Sequence, residues 1–535
     1  MKGSSGFKAA AGGSNPEEEH MPPVRLRPGC HLAATWGIDD RFGGMTGALL
    51  HRSRAFARLG GANVDVVTFD LRADYPALEE RLRSSGDITD GMTLSNIWDW
   101  MRDTAPPEDP DATHTAALAV LTPLADDPAF ESRQRDGREL MRIRHAADGS
   151  TELQVDHYRW DGTLAVSDRR DVREPGTLGG RVIVWCGADG TPRRRWTSAR
   201  SLYRWWLDQL RDGRQTTLIV DSKTSARFLL GYRRSGLLTF HVIHASHRQG
   251  SSDPLQVRAS RADVFRSPDG FDRIVFLTER QCADARLILG PDAPLAVIPN
   301  GRDVSSARVA GTVAHDSRTR DPFRGIVLAS LDSRKRVDHA VQAVASARQP
   351  ISLDVFGDGP SRPKVERAAA KAADNGASVT VHGYQAGASR ELAEASFLLL
   401  TSRSEGLPLV LVEAMANGCL PIAYDVPYGP ADIIRSGHNG FLVPAGNIPA
   451  LTAAIEHLVS LRPDRLAALR RNAVRTARRF SDDAVTRMWA REIDRAAMER
   501  GLPPAAPGRA LAFRLRRGIA RRWRKLPGVR GLTLR

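Results

Sequence analysis

Two carboxylates with seven residues between them, Glu405 and Glu413, stand on either side of a turn in TSRSEGLPLVLVEAMANG, residues 401–418. Residues 397–400, FLLL, read as a buried strand, and residues 402–406 as its polar, turn-prone exit. Pro408 suits the first position of a helix, and Gly418 suits the residue just past its end. Glu405 therefore belongs to the loop at the strand's carboxyl end, and Glu413 lies about one and a half turns into the helix. The free amides at the start of such a helix favour an anionic group such as a diphosphate. The backbone from Gly406 through Leu407 and Pro408 to Leu409 forms that approach. One carboxylate ahead of the helix and one on it can grip sugar hydroxyls at the two ends of a diphosphate, which is the chemistry of a nucleotide-sugar site. Two acids at this spacing are more often solvated surface groups. The turn chemistry around them and the Tyr-Gly-Pro block at residues 428–430 favour the site.

Three further clusters could serve the same chemistry. Gly43 and Gly44 follow an apolar run and precede a helical stretch, where a bare backbone lets a ligand approach closely, although for a Gly-Gly pair alone a plain tight turn is the default reading. Lys335 lies in SLDSRKRVDHAV, residues 330–341, in a chain with only 7 Lys against 70 Arg. His244 and His247 sit in HASH after the run TFHVI. The pair has no third ligand nearby for a metal, so hydrogen bonding to a sugar or hydroxyl competes with a structural role. Residues 357–360 (GDGP) and His382-Gly383 end neighbouring apolar runs and would rim the site.

The elements that must position these residues follow from pattern. GIVLAS, ISLDVF, SVTVH, SFLLLT, LPIAY and GFLV alternate with helical stretches between residues 326 and 460, the mark of a parallel sheet covered on both faces. A second such unit is predicted from HLAATWGI, LIVDS, FHVIHASH, RIVFLT and PLAVIPNG, and residues 302–322 form a polar linker. Alternation fails between about 69 and 200, where LQVDHYRWDGTLAVSD and GRVIVWCGADGTPRRRW read as hairpins with Asp-Gly turns. The expected organisation is a disordered arm at 1–28, a first Rossmann-like domain at 29–68 and 201–310, a β-rich insertion at 69–200, a second Rossmann-like domain at 311–480, a helix at 481–500 and a basic tail at 501–535. The fold class is α/β, with two doubly wound domains facing a cleft.

Composition narrows the setting. An apolar fraction of 41% and a charged fraction of 26% are ordinary for a globular chain. The 4 cysteines are scattered without Cys-x-x-Cys spacing and read as reduced packing residues. No apolar run reaches the ~18 residues of a membrane span, and the first residues lack the apolar stretch of a leader, so a cytoplasmic setting is expected. Of the net charge of +15, 10 units fall in residues 501–535, where Leu511, Leu515, Ile519 and Trp523 form a stripe among arginines. Such a helix suits the anionic inner face of a membrane, with a merely solubilising tail as the plainer reading. No nucleic-acid motif accompanies the basic run.

The Glu-x7-Glu segment and its continuation YDVPYGPADII resemble the retaining glycosyltransferases of family 4, which have the GT-B fold, and most closely the poly(glycerol-phosphate) alpha-glucosyltransferases and related teichoic-acid glycosyltransferases. The resemblance extends to WGIDDRFGGMTGALLHRSRAF and implies that Gly43 and Gly44 face the donor. It implies that Glu413 holds the nucleotide ribose, that Glu405 contacts the transferred sugar and that Lys335 meets the diphosphate. The family's Arg five residues before that Lys is replaced here by Ser330. His244 would face the cleft as a catalytic candidate, His247 would lie on the acceptor side, and His382 with Gly383 would border the nucleotide. The implied activity moves a hexosyl unit, glucose or N-acetylglucosamine, from a UDP-sugar to a polyol-phosphate polymer with no metal or other cofactor and no protein nucleophile. A lipid-linked sugar or another cell-wall glycan is the alternative acceptor, and a catalytically inactive glycopolymer-binding homologue is the alternative class. The insertion resembles an extra β-domain whose role is acceptor binding or self-association into a homo-oligomer.

Overall fold

Three sheets organise the chain, and strand composition decides which are parallel and which are not. The computed structural model describes residues 23–107, 121–250, 253, 255–304, 320–374 and 376–503. The first half opens with β1 (Cys30–Ala34), α1 (Gly44–Arg58), β2 (Val64–Thr68), α2 (Tyr75–Ser84), β3 (Met92–Asn96) and α3 (Ile97–Asp103). Next come β4 (Glu131–Arg135), β5 (Arg138–His145), β6 (Glu152–Tyr158), β7 (Leu164–Arg169), β8 (Val182–Cys186) and β9 (Pro192–Trp196). The half closes with α4 (Ala199–Arg211), β10 (Thr216–Val220), α5 (Lys223–Leu229), β11 (Leu237–Ile243), α6 (Ala262–Arg266), β12 (Arg273–Phe276), α7 (Glu279–Leu289) and β13 (Leu295–Val297). The second half contains β14 (Arg324–Leu328), α8 (Val337–Ala345), β15 (Ser352–Phe356), α9 (Arg362–Asp374), β16 (Ser378–Gly383) and β17 (Phe397–Leu400). It continues with α10 (Leu409–Ala416), β18 (Leu420–Asp425), α11 (Pro430–Ile433), β19 (Phe441–Pro444), α12 (Ile448–Val459), α13 (Pro463–Arg478) and α14 (Asp482–Glu499).

The first sheet has the order β13-β12-β11-β10-β1-β2-β3 and is parallel throughout. Every position of β1, β2, β10, β11 and β12 is buried, as expected of strands covered on both faces. The six apolar runs of the second half are the six strands of another parallel sheet, ordered β16-β15-β14-β17-β18-β19. In each sheet the order reverses once, between β1 and β10 and between β14 and β17. The expected pair of doubly wound units is the observed architecture.

The third sheet is an antiparallel meander of β4 to β9 in sequence order. Asp136 and Gly137, at φ +52° and +72°, form the two-residue turn between β4 and β5 that matches the twist of adjacent strands. The insertion starts later than residue 69. β3 pairs in parallel with β2, so α2 and β3 belong to the first Rossmann-like unit. The sequence MTLSN hides this because it is an edge strand, buried fully only at its ends. The arm also ends earlier than residue 28, since Val24 and Leu26 are 7% and 6% exposed and the Leu26 amide donates to the Gly60 carbonyl. The amphipathic stripe of the tail, and most of the linker, lie outside the described residues.

The last helix returns to the first half. α14 packs on α1 and β11, with Trp489 edge-on to Phe56 and Phe240 at 6.1 and 5.8 Å. Arg273 pairs with Glu492 and Glu499 on the same helix. The two crossings between halves run side by side, because Arg302 bridges to Ser481 and its amide donates to the Phe480 carbonyl at 2.8 Å. Trp489→Ala should therefore cost about 3–5 kcal/mol of stability. An unchanged thermal melting curve for that variant would show that this contact does not tie α14 to the first half.

Candidate functional site

The reversal between β14 and β17 brings their exit loops together, and Lys335 and Glu405 lie in those loops. Lys335 Nζ sits 2.6 Å from Glu405 Oε1, with the two side chains 15% and 9% exposed. Backbone bonds brace the arrangement: the Arg403 amide donates to the Arg334 carbonyl, and Thr401 Oγ1 donates to the carbonyls of Lys335 and Arg336. Arg336 spends its guanidinium on the Thr401 and Ser402 carbonyls and lies over the Tyr424 ring at 5.2 Å. Arg334 is freer, donating to the Ser404 carbonyl and standing 3.6 Å from Glu405. Of the two arginines beside Lys335, Arg334 is thus the one less committed to the backbone, and the Ser330 hydroxyl donates to Asp332.

α10 begins with Pro408 at its N-cap position, one residue ahead of the expected first helical position. It ends in a Schellman turn at Gly418, φ +70°, where the Cys419 and Gly418 amides donate to the Ala414 and Met415 carbonyls. No side chain caps the first turn; the Leu411 amide donates to the Pro408 carbonyl at 3.0 Å, which leaves the donor capacity to the amides ahead of it. The Leu407 and Leu409 side chains are buried at 8% and 9%, which limits their reach toward a ligand to backbone groups. Glu413 is the only charged residue on this largely buried helix, and Arg302 holds it at 2.6 Å.

Across the junction, Gly406 lies on the backbone of His244: a Cβ at Gly406 would fall 2.1 Å from the His244 carbonyl oxygen. His244 Nε2 is 2.7 Å from Asp221 Oδ1, and Arg52 donates to both Asp221 oxygens at 2.9 and 2.7 Å. Burial alone would raise the pKa of Asp221, but the Arg52 guanidinium, with His244, holds the carboxyl far below the usual carboxylate range. A depressed acid stabilises the fold at neutral pH and loses that contribution only as pH falls through the acid range. The structure therefore places Lys335, Glu405, Gly406 and His244 in one group.

A cleft of about 1230 Å³ opens between the halves. Arg41, Phe42 and Arg81 line it from the first half, Arg302 from the crossing, and Ser330, Gly357, Gly359, Tyr384 and Glu413 from the second half. Gly357 and Gly359, at φ +146° and +151°, pack so closely that a Cβ would lie 1.8 and 2.6 Å from the Ala329 and Leu331 carbonyl oxygens. Lys335, Glu405 and His244 are more enclosed and do not line the cleft, but residues 329–335 connect the two. Gly43 and Gly44 are exposed, and nothing in the protein lies within 4 Å of a Cβ added at either.

Two expectations require correction. His247 is fully buried, its ring stacked on Phe265 and Tyr428 at 5.2 and 5.6 Å, so it is a packing residue and not an acceptor-side group. His382 bonds Asp354 at 2.7 Å and stacks on Phe356 at 4.3 Å, while Gly383 accepts from the Gly357 amide. Neither lines the cleft, where Tyr384 and Gln385 stand instead. Sequence reasoning missed Asp221, Arg52 and Arg302. Asp221 carries the same signal as Glu405, an acid at the exit of an apolar strand, LIVDS.

Residues 317–479 match the family described as Glycosyl transferases group 1, and this part of the chain is such a domain. The poly(glycerol-phosphate) alpha-glucosyltransferase of Bacillus subtilis (strain 168) is 22% identical over 507 residues, 85% of this chain and 73% of that protein. The poly(ribitol-phosphate) alpha-N-acetylglucosaminyltransferase of Staphylococcus aureus (strain COL) is 20% identical over 497 residues, 84% of this chain and 97% of that protein. The solved structure of a substitution variant of S. aureus TarM, in complex with Fondaparinux, alpha-GlcNAc-glycerol and UDP, superposes with a TM-score of 0.67 at 16% identity, covering 87% of this chain and all of that one. The fold is GT-B.

The two histidines separate experimentally. His244→Ala is expected to lower turnover by about tenfold or more, whereas His247→Phe keeps the aromatic stack and turnover close to wild type. Steady-state rates of the folded variants decide this, and equal losses in both would reject the distinction.

Proposed function

We propose that this chain is a retaining hexosyltransferase that moves glucose or N-acetylglucosamine from a UDP-sugar to a hydroxyl of a teichoic-acid-like polyol-phosphate polymer. The observation that carries this reading is the Lys335–Glu405 ion pair at the strand-order reversal of the second sheet, next to the uncapped start of α10. Both groups are charged and enclosed, and a diphosphate offers Lys335 a stronger partner than a single carboxylate does. Release of Glu405 then frees it to accept from hydroxyls of the transferred sugar. Glu413, in the wall of the cleft, exchanges Arg302 for the ribose hydroxyls.

In the reaction the bond from the anomeric carbon to the diphosphate oxygen breaks and a bond to the acceptor oxygen forms on the same face. The acceptor proton passes to a phosphate oxygen of the leaving group. Lys335, the leading amides of α10 and Arg334 stabilise the charge that develops on the diphosphate. His244, oriented by Asp221, hydrogen-bonds the sugar or the incoming hydroxyl. No metal ion takes part. The names of the relatives support the substrate classes, and the basic composition suits a polyanionic acceptor. No described helix is long and apolar enough to cross a membrane, and we place the enzyme at the inner membrane face through its tail.

Lys335→Ala and Glu413→Ala should each lower turnover by at least about tenfold, since a lost charge-assisted hydrogen bond costs about 1.5–3 kcal/mol. Wild-type UDP release from both folded variants would remove the site assignment. UDP release should also persist in EDTA. Its complete loss, restored by manganese or magnesium, would contradict the metal-free mechanism.

A further inference from the structure

The carboxyl end of β1 presents an aromatic ring that the donor chemistry does not use. Trp36 is 38% exposed, although it lies edge-on to the buried Tyr203 and to Phe228 at 6.4 and 6.5 Å. It follows β1 where the first sheet reverses its strand order, the place at which open α/β sheets take ligands. Its carbonyl accepts from the amides of Phe69 and Asp70 at 2.8 and 3.0 Å, which fixes Asp70 beside it. Gly37 makes room, because a Cβ there would lie 2.3 Å from Asp70 Oδ2.

Asp70 has no ion pair among the described residues. Tyr75 donates to it, and Arg72, whose guanidinium acts on it electrostatically, is engaged by Asp74 and Asp40. Burial raises its pKa to about 6, opposed by Tyr75, its own backbone amide and Arg72, and assisted by Asp39. The folded chain at neutral pH thus carries a half-enclosed carboxylate that would ionise more readily unfolded, so ionised Asp70 works against stability as pH rises through 6. Lys223 opens α5 at the neighbouring carboxyl end of β10, exposed and without an ion pair among the described residues.

We infer that Trp36 and Asp70 form an acceptor subsite for a polyol unit, with Lys223 on the same rim for the adjoining phosphate. The indole face covers the carbon chain of the polyol, the Asp70 carboxylate accepts from a hydroxyl, and the Lys223 ammonium meets a phosphodiester oxygen. This deepens the proposed function and rests on its acceptor class. The three groups stand at the carboxyl ends of β1, β2 and β10, next to Asp221 and the strand that delivers His244, so a chain held there leads a hydroxyl toward the donor.

The test uses the full chain, a UDP-hexose and poly(glycerol phosphate), reading the acceptor KM and, separately, UDP affinity by calorimetry. Trp36→Ala should raise the acceptor KM by about tenfold with UDP affinity at its wild-type value, and Trp36→Phe should recover most of the loss. Asp70→Asn should raise the acceptor KM while increasing the melting temperature at pH 8 more than at pH 5, a split that a purely structural residue would not show. Lys223→Gln should weaken the polymer more than free glycerol. An acceptor KM unchanged in Trp36→Ala and Asp70→Asn overturns the subsite. Should the wild type glycosylate some other acceptor and no polyol-phosphate, the proposed acceptor class falls, and a KM for that acceptor unchanged in Trp36→Ala overturns the subsite as well.

Discussion

The reversal of strand order between β14 and β17 is the constraint on which the rest of the molecule depends. Two adjacent parallel strands whose connections leave in opposite directions must open a crevice at their carboxyl ends. The chain fills that crevice with opposite charges. Lys335 and Glu405, 15% and 9% exposed, are too enclosed to be well hydrated, and each offsets the other's desolvation. The pair is held from behind by backbone bonds of residues 401–403 and 334–336 and by Arg336, which accepts a left-handed conformation, φ +45°, at the N-cap of α8. The backbone is therefore braced by hydrogen bonds where the charges are.

The first sheet repeats the device with other residues. Its reversal between β1 and β10 puts Asp221 at full burial, fixed by Arg52 from α1 and bonded to His244 at the end of β11. The Asp221 carboxylate in that position orients His244 at a desolvation cost that Arg52 must offset, since an isolated buried carboxylate would be strongly destabilising. Gly406 then lets the two reversals touch. Any larger residue would push the loop of Glu405 away from the His244 backbone, so the absence of one side chain sets the spacing between the halves.

Much of this was legible in the sequence, and the failures have physical causes. The six apolar runs of the second half became its six strands because buried parallel strands need continuous apolar sequence. Glu405 and Glu413 stood out from ordinary surface acids because of the turn chemistry around them, with Pro408 and Gly418 bounding a helix, and the Tyr-Gly-Pro block that follows. MTLSN did not read as a strand because an edge strand escapes that demand, and the insertion consequently seemed to start too early. The spacing of His244 and His247 could not reveal that one ring bonds Asp221 while the other is packed between aromatic rings brought from Phe265 and Tyr428. Arg302 was invisible for a different reason. Its partner Glu413 is 111 positions away and meets it only because both domain crossings run together.

The antiparallel insertion follows from the same topology. From β3, at one edge of the first sheet, the chain must return to the centre to form β10, a long connection in which extra residues add little closure entropy. The insertion is nevertheless no loosely tethered module. Ala165, Val166, Ile183 and Trp185 share one apolar cluster with Val67, Phe69, Trp98, Trp206 and Leu218 of the first half, and Trp185 Nε1 donates to the Met101 carbonyl at 3.0 Å. Charged and polar groups at the same seam are buried with it, among them Asp168, fully buried and paired with Arg170 and Arg181. Separating the sheet would expose that cluster and strand those charges. The meander must therefore move as one body with β1, β10 and β11, which places any surface it offers in a fixed relation to Trp36 and His244 and leaves the residues around Glu405 and Glu413 on the other side of the crossing.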